Sequence, residues 1–308
     1  MKTKSARRGP YPVHTFCIIT AKSDELREVK SVLKTAFRRE DDDPLSGRAV
    51  YIVKERPRQP TLTLLATTCS AMGNVYAATK TAQIISLHNP SVLFFVGTAA
   101  SLDPGTVRLG DVIVPNGYGY RFYDKIVEKG QKDFEKAVAD KDFKERFFGD
   151  NVLLTDYFTH SLPGSAPDLI SDVDFKSGVM LDDGDLAQEW QDELKKGSSM
   201  RTPKVETDVQ MVTCGMVVNS EAYRTFLAKQ SPRKGLVIDM ESFGFFKVID
   251  DLLRQSDSVS QGIMIRGISD YAGRKETTEL GKTAWKTVAV RNAAKVAASA
   301  IKQLAEIS

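Results

Sequence analysis

The chain has 308 residues, enough for one large α/β domain or two small ones with a sizeable hydrophobic core. Hydrophobic residues make up 42% and charged residues 27%, which is the composition of a globular protein and excludes disorder over most of the chain. The 43 basic and 40 acidic residues leave a net charge of +3, smaller and less clustered than nucleic-acid binding usually requires, so we expect no nucleic-acid partner.

The first part of the chain alternates short apolar or β-branched runs with runs of helical periodicity. Strands are predicted over residues 14–20, 51–54, 61–68, 91–96 and 111–115. Helices are predicted over residues 24–37 and 74–88. The run over 91–96 is almost entirely apolar, as in a strand that is buried on both faces.

The pattern weakens in the middle of the chain and then returns. Residues 124–150 predict a charged amphipathic helix, and 162–172 and 197–204 predict loops rich in Ser, Pro, Gly and Asp. Further strands are predicted over 209–214, 236–239 and 262–268, and further helices over 220–229, 241–253 and 278–305. These elements predict an α/β protein with a mixed sheet: a basic tail over 1–12, then one domain over 13–308 with a charged insertion at about 125–206.

Cysteine and histidine spacing argues against disulfides and metal sites. Cys17, Cys69 and Cys214 are widely separated and odd in number, without a C-x-x-C pair, so we expect reduced and buried thiols. The three histidines show no metal-binding spacing. We therefore expect neither a metal nor any other cofactor.

The amino-terminal segment is unlike a secretory signal. Its basic residues 1–10 precede a short apolar run over 16–19, whereas a secretory signal has a longer one. No stretch approaches the roughly 18 apolar residues of a membrane span. We expect a cytoplasmic protein with no membrane partner.

Acidic and small residues follow the predicted strands. Ligands of open α/β sheets bind beyond the carboxyl ends of the strands, so the residues at these positions are candidates for a site. The segments are 21–25, 70–74, 97–101, 240–242 and 269–271. Glu25, Glu241 and Asp270 are thus predicted to converge at one edge of the sheet.

Each acid also has an ordinary structural explanation. Glu25 and Glu241 begin predicted helices, where a carboxylate complements the helix dipole, and Asp270 suits a turn or a cap. The small residues of 97–100 would also permit close packing of a helix on a strand. The three acids together favour a site more than any one of them does alone.

Several motifs resemble those of a known family. They are Ser70–Ala78 (SAMGNVYAA), Val96–Ala99 (VGTA), Leu109–Val112 (LGDV), Asp239–Ser242 (DMES) and Arg266–Ala272 (RGISDYA). As a set, in this order, they resemble the nucleoside phosphorylase/nucleosidase superfamily over most of 14–125 and 207–305. Glu25, in the first predicted helix, occupies a position similar to that of a glutamate in the methylthioadenosine/S-adenosylhomocysteine nucleosidases, which makes that branch of the family the most similar one. The resemblance implies a three-layer αβα fold with a central mixed, partly barrel-like β-sheet.

The resemblance also implies a role for individual residues. Asp270 is similar to the acid that gives a proton to purine N7, and Glu25 to the residue that positions and deprotonates the attacking water. Glu241 is similar to the carboxylate that holds the ribose hydroxyls. The remaining residues implied to bind substrate are Met240 against the sugar, Arg266 and Thr98 on the sugar side, and Met72, Ala99 and Val217.

The chemistry of N-glycosidic cleavage agrees with these roles. Breaking the bond builds positive charge on the sugar and negative charge on the leaving base. Asp270 must carry a proton when it neutralises the leaving base. A carboxylate near the sugar and a water on the opposite face of the sugar would then resemble the arrangement of inverting glycosidases, in which one carboxyl group protonates the leaving group and another activates water.

The sequence departs from the family's pattern in the substrate pocket. Residues 98–101 (TAAS) stand where the family has a Ser-Ala-Gly-Gly-like turn, which places bulkier residues near the sugar. Val217 stands where the nucleosidase branch has the aromatic that stacks on the base, so Tyr271 is a candidate to replace it. The segment 124–206 is longer than in small nucleosidases and would suit a lid or an oligomer contact.

The leading prediction is a nucleosidase that hydrolyses purine, foremost adenine, nucleosides or nucleotides. A phosphate-dependent phosphorylase is the first alternative, with Arg266, Arg27 and Lys22 as candidate phosphate ligands, although the carboxylate of Glu25 would repel phosphate. A non-catalytic nucleoside-binding or nucleotide-binding signalling module is the second, although binding alone does not require three acids. Family resemblance further implies a homo-oligomer: a dimer, trimer or hexamer.

Overall fold

A computed structural model gives the fold of the chain. It describes residues 14–33, 38–43, 48–53, 62–132, 134–135, 152–161, 173–181, 202–230, 235–255, 261–273 and 282–307. The predicted basic tail over 1–12 lies outside the described residues.

The described strands form one mixed sheet. They are β1 His14–Thr20, β2 Arg38–Asp43, β3 Arg48–Val53, β4 Leu62–Thr68, β5 Val92–Ser101, β6 Val112–Ile113, β7 Gly117–Glu128, β8 Val152–Ser161, β9 Val205–Glu206, β10 Gln210–Cys214, β11 Gly235–Asp239 and β12 Gln261–Asp270. Their order is β2-β3-β4-β1-β5-β11-β10-β7-β8. A branch runs from β5 through β12 and β6 to β9.

The branch at β5 brings several strand ends together. Along one edge β5 pairs in parallel with β12, as far as Ala100 opposite Asp270. Along its other edge, the first half of β5 pairs in parallel with β1, and Ala100 pairs antiparallel with Ile238 of β11. The carboxyl ends of β1, β11 and β12 therefore lie beside residues 96–100 of β5, even though β11 runs opposite to the other two.

Helices cover both faces of the sheet. They are α1 Ser23–Leu33, α2 Asn74–His88, α3 Glu221–Gln230, α4 Ser242–Gln255 and α5 Lys282–Ile307. Side chains alternate across β5, so Phe94 packs in the core with α1 and α5, whereas Phe95 packs in the core with α2 and α4. The predicted α/β class with a mixed sheet between helical layers is confirmed.

Four segments differ from the sequence prediction. Residues 97–101 were expected to follow a strand but belong to β5 itself. Residues 124–128 were predicted to begin a helix but belong to β7, which pairs with β8. Charged residues along β7 interrupt the alternation of apolar and polar side chains that would predict a strand. The strands β2 and β8, which lie at the two ends of the pairing order, were not predicted either. β2 has the sequence RREDDD, which has no apolar face to recognise.

Among the described residues, no helix combines the length and the apolar character that a membrane-spanning segment needs.

We predict that Gly267→Ala destabilises the protein. A Cβ at Gly267 would lie 1.9 Å from the carbonyl oxygen of Ala289, because β12 and α5 touch backbone to backbone at this point. Separating them should lower the free energy of unfolding by about 2 kcal/mol or more. Urea titration measures this loss. The control is Gly105→Ala, at an exposed position where an added Cβ meets only the side chain of Asp103. Equal effects of the two substitutions would contradict the prediction.

Candidate active site

One cavity opens beside the strand ends that meet at β5. Its volume is about 540 Å³, within the range of small-molecule sites. The three predicted acids Glu25, Glu241 and Asp270 all line it. The other predicted site residues that line it are Met72, Thr98, Ala99, Val217 and Met240.

Glu25 lies in the first turn of α1 and is 3% exposed. One oxygen of its carboxylate accepts a hydrogen bond from the backbone N–H of Lys22 at 3.1 Å. The other accepts hydrogen bonds from the N–H and the hydroxyl of Thr98 at 3.3 and 3.2 Å. Thr98 belongs to β5, so these contacts fix the carboxylate of the helix against the central strand.

Arg266 is fully buried and does not line the cavity, although the family resemblance placed it there. Its guanidinium lies over the ring of Phe95, 4.7 Å from the centroid. Nη2 donates hydrogen bonds to Asp239 at 2.8 Å and to Glu241 at 3.2 Å. Burial alone would lower the pKa of Arg266, but the neighbouring carboxylates, Asp239 foremost, raise it, so the guanidinium stays charged behind the cavity wall.

The remaining nitrogen of Arg266 faces the acid of α1. Nη1 is buried and has no hydrogen-bond partner among the described residues. A Cβ added to Gly97 would lie 2.4 Å from this Nη1 and 3.2 and 3.3 Å from the two carboxylate oxygens of Glu25. Only a glycine at this position leaves room for both the guanidinium and the carboxylate beside the β5 backbone.

Glu241 follows β11 and is 4% exposed. Oε1 accepts a hydrogen bond from the backbone N–H of Gly73 at 3.0 Å, and Oε2 accepts one from Arg266 at 3.2 Å. Burial raises the pKa of Glu241 to about 7; the charge of Arg266 opposes this shift, and the charge of Asp239 adds to it. Glu241 therefore changes its charge near neutral pH.

Asp270 is the last residue of β12 and is partly exposed to the cavity. One carboxylate oxygen accepts a hydrogen bond from the backbone N–H of Ala272 at 3.0 Å. The hydroxyl of Ser269 donates to the other at 3.1 Å. These contacts fix the carboxyl group beside Ala100, which is opposite Asp270 in the pairing of β12 with β5.

The walls of the cavity near Asp270 are aliphatic. Ala100, Val218 and Ile238 line it there, and none of the described lining residues is aromatic. Tyr271, the candidate for stacking on a base, packs instead against the core that includes α4, and its hydroxyl accepts a hydrogen bond from the N–H of Leu109 at 3.5 Å. Tyr271 does not line the cavity.

Two lysines and an aspartate line the cavity on the Glu25 side. They are Lys22, Lys286 and Asp24. Lys286, on α5, donates to the carboxylate of Asp24 at 2.5 Å. Burial would raise the pKa of Asp24, but the hydrogen bond and charge of Lys286 lower it overall, so this pair is ionised. Arg27, the other candidate cation, is exposed and does not line the cavity.

The structure adds two site residues that were not predicted. Asp239 could have been found, since it directly precedes Met240 and Glu241 in the chain. Lys286 carries no sequence signal, because it lies on the last helix, far in sequence from Asp24. Within the part of the chain that the structure describes, no group of three or more His, Cys, Asp or Glu side chains is arranged to hold a metal ion.

The sequence profile of the phosphorylase superfamily matches residues 15–304. The chain belongs to the phosphorylase superfamily. This confirms the resemblance drawn from the motifs. No curated protein sequence matches the chain significantly.

Solved structures of nucleosidases share the fold over nearly the whole chain. 5′-Methylthioadenosine/S-adenosylhomocysteine nucleosidase of Helicobacter pylori is 16% identical, with a TM-score of 0.55, covering 94% of this chain and 98% of that one. Futalosine hydrolase of Helicobacter pylori is 15% identical, with a TM-score of 0.55 and coverages of 94% and 98%. The methylthioadenosine/S-adenosylhomocysteine nucleosidase of Colwellia psychrerythraea, in complex with adenine, is 16% identical, with a TM-score of 0.54 and coverages of 96% and 97%. At these identities the likeness establishes the fold.

Proposed function

We propose that the protein is an N-glycosidase that hydrolyses the base–ribose bond of purine nucleosides or nucleotides, with adenine as the favoured base. The observation that carries the proposal is the lining of one cavity by Glu25, Glu241 and Asp270. The fold shared with nucleosidases, one of them holding adenine, supports the same chemistry.

Asp270 would act on the leaving base. Its carboxyl group reaches the cavity beside Ser269 and near aliphatic walls, which offer apolar contacts to the flat face of a base. A carboxylic acid at this position can give its proton to purine N7, so that the base leaves neutral rather than as an anion. A positioned proton donor of this kind is typically worth about 10² to 10⁴ in rate.

Glu241 would hold the sugar. Its ionised carboxylate accepts hydrogen bonds from ribose hydroxyls, and its negative charge stabilises the positive charge that develops on the ring. Met240 lines the cavity beside it and offers an apolar contact for the same ring.

Glu25 would prepare the attacking water. Its carboxylate is fixed by Thr98 and lies with the buried Nη1 of Arg266 in the space beside Gly97. A water bound in the cavity beside Glu25 would find a base that takes its proton, with the positive charge of Arg266 behind the cavity wall.

The charges around Glu25 favour water over phosphate as the nucleophile. Arg266 already serves Asp239 and Glu241, and Lys286 already serves Asp24. A phosphate bound beside Glu25 would therefore face carboxylates, while Arg266 and Lys286 are already paired with other acids. Phosphate recognition instead uses cationic donors that converge on the anion.

We extend the proposal to the organisation and location of the protein. The match of the superfamily profile over 15–304 supports a single domain over 13–308, and the charged insertion at about 125–206 stays a prediction. Cys17, Cys69 and Cys214 are free and buried, which supports a reducing compartment such as the cytoplasm.

A homo-oligomer that forms beside the cavity is part of the same proposal. The exposed residues of α2 carry no charge: Val75, Tyr76, Thr79, Ala82, Gln83, Ser86 and Leu87. Val75 is 75% exposed and Tyr76 45% exposed, and the neighbouring Met72 lines the cavity. The exposed apolar side chains of Val75, Tyr76 and Leu87 on this uncharged face support an interaction site here.

We predict that the purified protein releases free adenine from adenosine or an adenine nucleotide without added phosphate. Chromatography with and without phosphate identifies the sugar product. Ribose, or ribose that keeps its 5′ phosphates, indicates hydrolysis, whereas ribose 1-phosphate indicates the phosphorylase. Absence of base release from a panel of purine and pyrimidine nucleosides and nucleotides would contradict the catalytic proposal.

Substitutions of the acids should separate an enzyme from a binding module. Glu25→Gln and Asp270→Asn should each lower turnover by about 10² to 10⁴, because each removes an acid–base group. Glu28→Gln is the matched control, since Glu28 lies on the same helix and pairs with Arg291 away from the cavity. Steady-state kinetics measures all three variants. If the variants of Glu25 and Asp270 turn over like the control, the assigned roles are wrong.

The pH dependence of kcat/KM should rise through about pH 7. Below this value Glu241 is protonated and loses the charge that stabilises the sugar, because burial raises its pKa to about 7. Glu241→Gln should lower activity and remove this rising limb. Persistence of the limb in that variant would assign it to another group.

A charge on the outer face of α2 should disrupt the oligomer. Val75→Glu would place a carboxylate in an apolar interface and shift the protein to monomer. Light scattering coupled to size-exclusion chromatography measures the mass of the wild type and the variant. Lys302→Glu, at an exposed position of α5, is the control and should keep the wild-type mass. A monomeric wild type would exclude the oligomer.

A further inference from the structure

We propose that Asp239 is a positioning residue of this enzyme: it fixes the guanidinium of Arg266 so that Nη1 faces Glu25. The inference rests on the proposed function, because Glu25 is taken there as the base that prepares water. Asp239 lies at the end of β11 and is 6% exposed.

Three donors hold one side of the Asp239 carboxylate. Oδ1 accepts hydrogen bonds from the backbone N–H of Ser242 at 3.1 Å, from the hydroxyl of Ser242 at 2.7 Å, and from the hydroxyl of Thr213 at 3.2 Å. Thr213 lies opposite Asp239 in the pairing of β10 with β11, and Ser242 begins α4. The orientation of this carboxylate is therefore set by two strands and a helix start.

The other oxygen is directed at Arg266. Oδ2 accepts hydrogen bonds from Nε at 3.2 Å and from Nη2 at 2.8 Å, and it shares the backbone N–H of Ser242 at 3.1 Å. Nη2 also donates to Glu241, so these two nitrogens are bound on the side of the guanidinium away from Glu25. The planar guanidinium cannot turn without breaking these bonds, and Nη1 is left facing Gly97 and Glu25.

This arrangement differs from simple helix capping. A cap for α4 requires only the contact between Asp239 and the N–H of Ser242. The contacts from Oδ2 to Arg266 add nothing to the cap, but they determine which guanidinium nitrogen lies on the side of Glu25. A loss of the carboxylate charge should therefore affect turnover beyond its effect on stability.

The variant Asp239→Asn tests the inference. Its amide can still accept the hydrogen bonds of Ser242 and Thr213, but its NH₂ group would face the donors of Arg266. We expect turnover to fall about 100-fold, since a small misplacement at a reacting centre has an effect of that size. The affinity for adenine, measured by calorimetry, should stay within about threefold, because the aliphatic walls near Asp270 do not include this network. A parallel loss of turnover and adenine affinity would indicate a structural role and overturn the inference.

A double-mutant cycle with Arg266→Lys tests whether Asp239 changes turnover through the guanidinium of Arg266. If Asp239 acts through the guanidinium, Asp239→Asn should change turnover far less in the Arg266→Lys background than in the wild type. Additive effects, or wild-type turnover in Asp239→Asn, would overturn the inference while leaving the proposed function intact.

Ser242→Ala provides a milder test should Asp239→Asn fail to fold. It removes one hydroxyl from Oδ1 and keeps the carboxylate charge, so turnover should fall about tenfold with adenine affinity unchanged. Unchanged turnover in this variant would count against the inference. A wild-type protein that releases no base would overturn the proposed function and this inference with it.

Discussion

The charge of Arg266 is the interaction on which the site depends. A fully buried guanidinium is tolerated only because carboxylates surround it, and those same carboxylates would repel one another without it. Asp239 and Glu241 contact it directly, and Glu25 lies near it in the space beside Gly97. Removing the cation would therefore leave several buried acids without compensation, so this one side chain links the stability of the fold to the chemistry of the cavity.

The branch of the sheet at β5 brings these charges together. If β5 kept a single partner strand along each edge, β11 would not pair with β5. Asp239 and Glu241, which lie at the end of β11, would then be elsewhere in the molecule. Because β1 stops pairing before the last residues of β5, the same edge becomes free for β11 in the opposite direction. The acids from α1, from the end of β11 and from the end of β12 can then line one space although they are far apart in the sequence.

The sequence was sufficient to predict the α/β class, most internal elements and the membership of the superfamily. Alternating apolar residues reveal buried strands such as β5 and β12, but they cannot reveal β2, whose residues are all charged. The motifs also picked out Glu25, Glu241 and Asp270, whose side chains line one cavity. They could not show that Arg266 lies behind the cavity wall, because burial depends on contacts with β5 and β11, nor that Lys286 reaches Asp24 from the other end of the chain.

The aliphatic walls of the cavity have a consequence for the end of the reaction. Aromatic rings hold a flat heterocycle by stacking, whereas alanine, valine and isoleucine side chains contact it only by dispersion and apolar burial. Under the proposed function, a base held in this way should leave the cavity soon after it is cut from its sugar. Product inhibition by the free base should then be weak, and the reaction would continue while base accumulates around it.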